Sequence, residues 1–225
     1  MQKTIVITGA SRGIGFALAQ QAAADGHTVI TLTRNSAPLK NTKGITPFSV
    51  DLTDTAALSD GVEQIKSRFE KVDILINNAG VLVNRPFAQT SQADFQTTFA
   101  VNFFAIAALT QALLPHIDPT GHIVNISSMG GVLGSAKFPG LAAYSSSKGA
   151  LITLTELLAE EYKATGPVFN ALALGAVQTE MLADAFPGYT TPVTPEKMAE
   201  YILKFALEGH QFYNGKVLPV ALSTP

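Results

Sequence analysis

The sequence predicts an α/β fold in which a parallel sheet is covered by helices on both faces. Three observations lead to this prediction: short β-branched runs alternate with helix-length segments, several runs are apolar almost throughout, and a glycine-rich turn follows the first run. The predicted strands are 4–8, 28–33, 45–50, 72–76, 122–126, 168–174 and 216–220. The predicted helices are 14–25, 54–70, 91–116, 144–165 and 195–208.

Residue types at the ends of the segments support several of these boundaries. Thr53 and Asp54 precede the second helix, and Thr194 precedes the last one. Side-chain oxygens at such positions accept hydrogen bonds from the first N–H groups of a helix. Gly26 and Gly209 follow helical segments, where glycine commonly ends a helix.

Composition excludes several classes of function. The chain has 225 residues, a formal net charge of -2 and no cysteine. We therefore expect neither a basic surface for nucleic acid or anionic membrane nor any thiolate, disulfide or cysteine-bearing metal site. Four scattered histidines also predict no metal site. The early apolar run 5–7 is too short for a secretion signal, so a soluble, cytoplasmic protein is expected.

The charged fraction of the chain is low. Hydrophobic residues make up 47% of the sequence and charged residues 14%, against about 25% charged residues in an average soluble domain. A thin polar surface must then cover a large apolar volume. We expect part of the apolar surface to be buried against a partner subunit.

The glycine-rich turn runs from Thr8 to Gly15 and leads directly into the first helix. Glycines at this place allow a tight turn and let backbone N–H groups approach a phosphate at the positive end of the helix. The spacing departs from G-x-G-x-x-G because Leu18 stands where the last glycine or alanine would fall. A plain strand-to-helix turn is the alternative interpretation.

A second pattern overlaps this turn. Residues 9–13 satisfy G-x-S-x-G, the nucleophile turn of α/β-hydrolases, with Ser11 as the nucleophile. Asp184 and His210 follow in the order that a catalytic triad would need. Against this hypothesis, the turn follows the first strand, so no upstream strand or loop is left to build an oxyanion hole.

The end of the second strand indicates which dinucleotide is preferred. An acidic residue there binds the ribose 2′-hydroxyl of NAD, whereas an arginine accommodates the 2′-phosphate of NADP. This strand ends at Thr33 and is followed by Arg34, and Arg12 lies in the glycine turn. Two guanidinium groups near one phosphate favour NADP(H) over NAD(H). The alternative is that both arginines are simply solvated surface residues.

Polar side chains also follow later strands of the predicted sheet. Ser127 and Ser128 end one strand, and Asn77 and Asn78 end another. The carboxyl ends of parallel strands line the ligand crevice of open α/β sheets. One serine could simply cap its strand, and the asparagines could be turn formers.

Tyr144 and Lys148 lie four residues apart at the start of a helix and therefore share one face. An ammonium group near a phenol is expected to lower the phenol's pKa from about 10 toward the range of a general acid-base. The spacing is common by chance, so its weight comes from the other motifs.

Taken together, these motifs resemble the short-chain dehydrogenase/reductase family. Residues 8–15 match its T-G-x-x-x-G-x-G turn, residues 77–80 its N-N-A-G motif, and residues 144–148 its Y-x-x-x-K motif. The resemblance runs in order from the glycine turn to the last strand. It implies a Rossmann-type, doubly wound sheet of about seven strands and hydride transfer between a nicotinamide cofactor and a carbonyl or alcohol.

The resemblance also implies roles for individual residues. Tyr144 would be the acid-base, Lys148 would lower its pKa and bond the nicotinamide ribose, Ser128 would orient the substrate, and Asn102 would hold a water in a proton relay. Asp51 would contact the adenine. The implied cofactor-binding set is Gly9, Ser11, Arg12, Gly13, Ile14, Gly15, Arg34, Asp51, Asn78, Ala79, Gly80, Tyr144, Lys148, Gly175, Val177 and Thr179.

Two features depart from the family pattern. Leu174 stands where a proline commonly precedes Gly175, which is expected to loosen this turn and weaken cofactor affinity. The segment 180–195 is short for a substrate lid, and the segment between Ser128 and Tyr144 is long. Both segments would line the substrate pocket. Its apolar rim is expected to contain Met129, Leu133, Phe138 and Phe186.

The resulting hypothesis is a single dinucleotide-binding catalytic domain spanning 1–225, with substrate loops around 129–143 and 180–195. We expect an NADP(H)-dependent carbonyl reductase or alcohol dehydrogenase acting on a small molecule. The alternative is a regulatory protein that binds NADP(H) without catalysis. Apolar residues around helices 91–116 and 144–165 predict a homodimer or homotetramer, since the corresponding helices in the resembled family commonly pack against a second subunit.

Overall fold

The computed structural model describes residues 1–222 of the chain. Seven parallel strands form one sheet in the order β3-β2-β1-β4-β5-β6-β7. The strands are β1 Thr4–Thr8, β2 Thr28–Thr33, β3 Ile45–Ser49, β4 Val72–Asn77, β5 Ile117–Ser128, β6 Val168–Leu174 and β7 Lys216–Val220. This confirms the predicted fold class and strand number.

The helices connect successive strands. They are α1 Gly13–Ala24, α2 Thr55–Arg68, α3 Gln92–Phe99, α4 Ala105–Leu113, α5 Ala142–Glu161, α6 Glu180–Ala185 and α7 Pro195–Glu208. Asp54 caps α2 by accepting hydrogen bonds from the Ala56 and Ala57 amides, and Thr194 caps α7 through the Lys197 amide. Both caps match the sequence prediction.

The core consists of two apolar layers, one on each face of the sheet. On one face, α1 and α7 pack against side chains of the central strands, including Ile7, Ile76 and Leu172. On the other face, α2, α4 and α5 cover the alternate side chains, including Val6, Leu75 and Ile123. Burial on both faces explains why the central strands are apolar almost throughout.

The predicted helix 91–116 is not continuous. A π-helical turn, Ala100–Phe104, separates α3 from α4, and a 3-10 turn, Leu114–His116, follows α4. By length and composition alone, the stretch Gln92–His116 could cross a membrane. Helices in the core of a soluble protein can be equally long and apolar. Here Leu109 and Leu113 of α4 are buried in the core layer between the sheet and the helices α2, α4 and α5.

Two other elements differ from the prediction. β5 begins at Ile117 rather than at residue 122, and Ile117 pairs with Val72 across a register shift in the ladder. The sequence did not predict this part of the strand because it contains Pro119 and Gly121, and proline and glycine are uncommon inside strands. The segment predicted as an irregular substrate loop begins with the short helix α6, which Thr179 caps by accepting a hydrogen bond from the Leu182 amide.

Candidate active site

The carboxyl ends of the central strands meet at one edge of the sheet. Ile7 of β1 pairs with Ile76 of β4, and Ile76 in turn pairs with Val124 of β5. Ser128 at the end of β5 pairs with Leu174 at the end of β6. The motifs that follow these strands are therefore neighbours in space although they are far apart in the sequence.

The glycine turn between β1 and α1 is tightly packed. Gly9 and Gly13 have φ angles of 69° and 58°, which favour glycine. A Cβ atom on Gly9 would lie 2.7 Å from Ala79 Cα, and one on Gly15 would lie 2.5 Å from the Gly9 carbonyl oxygen. The turn thus lies directly against the N-N-A-G segment.

This turn has the features of a diphosphate site. The N-cap residue of α1, Arg12, makes no side-chain cap hydrogen bond. The first N–H groups of a helix have no partner within the helix, and they carry the positive end of its dipole. Ser11 and Ile14 flank the turn, and a cleft of about 540 Å³ is lined by Ser11, Arg12, Gly13, Thr179 and neighbouring residues.

The N-N-A-G segment is joined to the glycine turn by the hydroxyl of Thr8, a motif residue for which the sequence predicted no role of its own. Thr8 Oγ1 accepts hydrogen bonds from the amides of Asn78 and Ala79, at 3.0 and 2.9 Å. Asn78 Nδ2 donates to the carbonyls of Thr8 and Gly9, at 3.0 and 3.2 Å. Asn78 therefore fixes the glycine turn, while Asn77 is buried in the core. The position of Thr8, at the end of a strand before glycine, was the available signal.

Tyr144, Lys148 and Ser128 converge above the end of β5. Tyr144 is half-buried in the first turn of α5, and Lys148, one turn later, is 3% exposed. Lys148 Nζ donates to the Ile126 carbonyl at 2.8 Å and lies 5.9 Å from the centre of the Tyr144 ring. Ser128 Oγ accepts a hydrogen bond from the Gly130 amide at 3.2 Å.

The two serines at the end of β5 have different environments. Ser127 is 2% exposed, and its hydroxyl donates to the Lys148 carbonyl at 3.0 Å. Ser128 is only partly buried, and its hydroxyl lies near the Tyr144 phenol, where it influences the pKa of that group. Ser127 is thus buried and bonded to the backbone of α5, whereas Ser128 lies beside the Tyr144 side chain.

The expected direction of the tyrosine shift is wrong for this structure. Burial raises the pKa of Tyr144 above its ordinary value, and the nearby Ser128 hydroxyl opposes this shift only in part. Burial also lowers the pKa of Lys148 to about 8. The Lys148 ammonium group donates to the Ile126 backbone carbonyl, and burial is the main cause of the raised tyrosine pKa.

Asn102 lies in the π-helical turn and is fully buried. Its Oδ1 accepts a hydrogen bond from the Val81 amide at 2.8 Å, and its Nδ2 donates to the Val81 carbonyl at 2.9 Å. A Cβ atom on Gly80 would lie 3.5 Å from both Asn102 Oδ1 and Lys148 Nζ. The structure therefore places the Asn102 amide and the Lys148 ammonium group on the same side of Gly80.

Arg34 and Asp51 lie at the outer end of the site, after β2 and β3. Both are exposed, and the charge of Arg34 contributes to a lowered pKa of Asp51, whose main causes are hydrogen bonds from Thr53. The Thr53 amide and hydroxyl donate to Asp51 Oδ1, at 2.9 and 2.7 Å. The charge of Arg34 therefore acts on Asp51, although the two side chains, which both belong to the described part of the chain, do not form an ion pair within 4.0 Å.

The turn after β6 is held by contacts that do not need a proline. The Gly175 amide donates to the Val220 carbonyl at 2.9 Å, and a Cβ atom on Gly175 would lie 2.7 Å from Ala221 Cβ. Val177 is 5% exposed. The Thr179 side chain lies against the glycine turn, with its Cγ2 3.5 Å from a Cβ atom built on Gly13.

The structure does not assemble the hydrolase triad. His210 packs on His122, with 5.7 Å between ring centroids. His122 pairs with Val168, the first residue of β6, so this histidine pair lies at the amino edge of the sheet. Ser11 lies at the opposite edge. Within residues 1–222, no group of three or more histidine or acidic side chains is placed to hold a metal ion.

The four residues expected at the apolar pocket rim differ in exposure. Met129 is buried at 4% exposure, whereas Leu133 is fully exposed. Phe138 is 39% exposed and Phe186 is partly buried.

The chain is similar to known oxidoreductases along nearly its whole length. It is 35% identical over 218 residues to the ketoacyl reductase HetN of Nostoc sp., covering 90% of this chain and 74% of that protein. It is 33% identical over 237 residues to gluconate 5-dehydrogenase of Gluconobacter oxydans, covering 96% of this chain and 91% of that one.

Solved structures share the fold. A 3-ketoacyl-(acyl-carrier-protein) reductase of Brucella melitensis, crystallised with NADH, superposes with a TM-score of 0.85 at 26% identity. The match covers 97% of this chain and 96% of that one. Such relatives establish a nicotinamide-dependent oxidoreductase that transfers hydride. The family model for short chain dehydrogenases matches residues 3–190, and the chain belongs to that family.

Proposed function

We propose that the protein is an NADPH-dependent carbonyl reductase in which Tyr144 is the acid-base. The observation that carries this proposal is the convergence of Ser128, Tyr144, Lys148 and Asn102 at the sheet edge, beside a glycine turn with uncapped helix N–H groups. A bound nicotinamide dinucleotide supplies the hydride in reduction. The residues of this chain then have to bind the dinucleotide, orient the carbonyl and deliver a proton.

The roles of the side chains follow from their positions. The Ser128 hydroxyl orients the substrate carbonyl, and the Tyr144 hydroxyl donates its proton to the carbonyl oxygen as reduction proceeds. A phenol with an ordinary pKa of about 10 already carries its proton at neutral pH, so Tyr144 holds the proton that reduction requires. Lys148 and the 78–80 segment would hold the nicotinamide end of the dinucleotide, and the glycine turn its diphosphate.

Tyr144→Phe tests the assignment of the acid-base. The substitution removes the proton donor and leaves the nucleotide site intact, so we expect turnover to fall by at least 1000-fold while the Kd for NADPH changes less than threefold. Steady-state kinetics and fluorescence titration with NADPH measure the two quantities. Tyr162→Phe, which alters the tyrosine after the last turn of α5, serves as the matched control and is expected to retain activity.

Turnover by Tyr144→Phe within tenfold of the unmodified protein would contradict this assignment. The substrate panel should contain aldehydes, ketones and 3-oxoacyl thioesters, because the relatives include ketoacyl reductases and a sugar-acid dehydrogenase. A protein that binds NADPH but oxidises it with no carbonyl in the panel would support the regulatory alternative.

We propose that Arg34 and Arg12 select NADPH by binding its 2′-phosphate. Arg34 is exposed just after β2, at the carboxyl edge of the sheet, and its charge contributes to the lowered pKa of Asp51. A guanidinium group can make charge-assisted hydrogen bonds to the 2′-phosphate of NADPH. NADH has no such phosphate, so loss of the guanidinium should weaken the binding of NADPH alone. Because the Brucella relative was crystallised with NADH, the test compares both nucleotides.

Arg34→Ala is expected to raise the KM for NADPH about tenfold and to change the KM for NADH less than twofold. Lys43→Ala removes an exposed cation at the opposite edge of the sheet, just before β3, and is the charge-matched control. Initial rates with each nucleotide at saturating substrate measure the effect. An unchanged KM for NADPH would show that Arg34 does not bind the 2′-phosphate.

We also propose that the protein is a soluble, cytoplasmic homodimer or homotetramer, with the substrate bound between the loops 129–143 and 180–195. Support for the oligomer comes from exposed apolar side chains beside the active-site helix: Phe104 is 61% exposed and Leu157 is 56% exposed. Support for the substrate loops comes from their position after β5 and β6 at the edge that holds Ser128.

A further inference from the structure

Ser147 lies between Tyr144 and Lys148 on α5 and has no exposed surface. Its hydroxyl donates a hydrogen bond to the Tyr144 carbonyl at 2.7 Å and accepts one from Asn102 Nδ2 at 3.0 Å. A serine hydroxyl has a single hydrogen. Because that hydrogen is used on the Tyr144 carbonyl, the Ser147 oxygen faces Asn102 as an acceptor.

Together with two hydrogen bonds to the Val81 backbone, this constraint fixes which way the Asn102 amide points. Its Nδ2 has two hydrogens, and these go to the Ser147 hydroxyl at 3.0 Å and the Val81 carbonyl at 2.9 Å. Its Oδ1 accepts from the Val81 amide at 2.8 Å. A rotated amide would face the Ser147 oxygen with its own oxygen and would leave a buried donor without a partner, which typically costs about 1–3 kcal/mol.

The orientation of the Asn102 amide matters because this residue lies beside the proposed active site. Asn102 lies in the π-helical turn between α3 and α4, and turns of this kind interrupt the regular hydrogen-bond ladder of a helix, often at functional sites. Asn102 Oδ1 and Lys148 Nζ each lie 3.5 Å from the position of a Cβ atom on Gly80. The amide thus stands beside the segment that would hold the nicotinamide end of the dinucleotide.

From these contacts, we propose that Ser147 is a positioning residue that acts through Asn102. It ties the π-helical turn to the helix that carries Tyr144 and Lys148, so that the amide, the phenol and the ammonium group keep fixed relative positions. The proposal rests on the proposed function, since it assigns a role within the same site. No contact of the Ser147 hydroxyl with substrate or dinucleotide is required.

Thr155 on the same helix provides a matched comparison. It is also fully buried, and its hydroxyl donates to the Leu151 carbonyl at 2.7 Å and accepts from Asn125 Nδ2 at 2.8 Å. Ser147 and Thr155 therefore have the same hydrogen-bonding pattern, a helix carbonyl on one side and an asparagine amide on the other. They differ in that Asn125 belongs to β5 and its Oδ1 accepts a hydrogen bond from the buried Asn77 side chain, whereas Asn102 Oδ1 lies beside Gly80.

The experiment compares Ser147→Ala with Thr155→Val. We expect Ser147→Ala to lower kcat about tenfold while the Kd for NADPH changes less than threefold, because the nucleotide contacts remain. Thr155→Val should lower Tm by at least as much as Ser147→Ala but keep kcat within twofold. The proposal is overturned if Ser147→Ala keeps kcat within twofold, or if both variants lose kcat equally.

A double-mutant cycle with Asn102→Ala separates a role through Asn102 from a direct one. If Ser147 acts through Asn102, Ser147→Ala should change kcat less than twofold in the Asn102→Ala background, because the amide it orients is gone. Independent, multiplicative losses would contradict the proposal. If Asn102→Ala does not fold, the comparison with Thr155→Val decides alone.

A readout that needs no turnover distinguishes this proposal from the proposed function. The Val81 amide donates to Asn102 Oδ1, so its hydrogen exchange reports how firmly the Asn102 side chain is held. Ser147→Ala should speed exchange of the Val81 amide about tenfold, and Thr155→Val should leave it unchanged. Absence of carbonyl reduction by the unmodified protein would refute the proposed function, whereas unchanged Val81 exchange would refute the positioning role.

Discussion

At the residue scale, burial determines the ionisation of the groups at the active site. The four-residue spacing of Tyr144 and Lys148 predicted a lowered tyrosine pKa, yet burial raises it and lowers the pKa of Lys148 to about 8. Both shifts follow from the cost of placing a charge in a poorly hydrated site. The Ile126 carbonyl accepts a hydrogen bond from Lys148 Nζ at 2.8 Å, and this ammonium group lies 5.9 Å from the centre of the Tyr144 ring.

Another buried residue leads to a prediction on stability. His122 is 1% exposed, its Nδ1 lies 3.0 Å from the Ala206 carbonyl and its Nε2 lies 3.0 Å from Asn170 Nδ2. Burial lowers its pKa from 6.5 to about 4. Between these pH values the unfolded chain binds more protons at this site than the folded one, so stability must be lost as pH falls from 6.5 toward 4.

The measurement is urea-induced unfolding at pH 7 and pH 5, for the unmodified protein and for His122→Gln. The unmodified protein should lose on the order of 2 kcal/mol more than the variant over this interval. His27, whose pKa is also lowered by burial, remains in both proteins and cancels in the difference. Equal losses in the two proteins would show that His122 does not titrate with a lowered pKa.

At the element scale, the strands and the capped helices were predictable because their signals are local. Asp54 and Thr194 start α2 and α7 as expected, and β1, β2, β6 and β7 have the predicted bounds. The long central helix was not predictable in detail. Its sequence is uniformly helical, and the π-helical turn at Ala100–Phe104 accompanies the hydrogen bonds that Asn102 makes with Val81 and Ser147, which lie in distant parts of the chain.

At the scale of the whole molecule, the low fraction of charged residues leaves some large apolar side chains exposed on the surface. The rings of Phe103 and Phe104 pack edge to face, with 5.4 Å between their centroids, and Phe104 is 61% exposed at the end of the π-helical turn. This turn contacts α5, on which Leu157 is 56% exposed. Apolar area is thus exposed on two neighbouring helical elements, which supports the proposed assembly.

We expect light scattering at micromolar concentration to give the mass of a dimer or a tetramer. The double variant Phe104→Asp/Leu157→Asp should shift the protein toward monomer, because two charges would have to be buried in the interface. Leu133→Asp places the same charge on a fully exposed residue in the loop after β5 and should keep the assembly. A monomeric unmodified protein would contradict the expected assembly.

The sequence by itself determined the fold class, the seven strands and the motifs that gather at one sheet edge, because hydrophobic periodicity, caps and glycine turns act over a few residues. The tertiary structure decided how deeply each side chain in those motifs is buried and which hydrogen-bond partners it has. It buried Ser127 against the Lys148 carbonyl, placed Asn102 in a π-helical turn and joined it to Ser147. Burial and hydrogen bonding between residues far apart in the chain depend on packing, so no local pattern could reveal the Ser147 contact or the direction of the Tyr144 pKa shift.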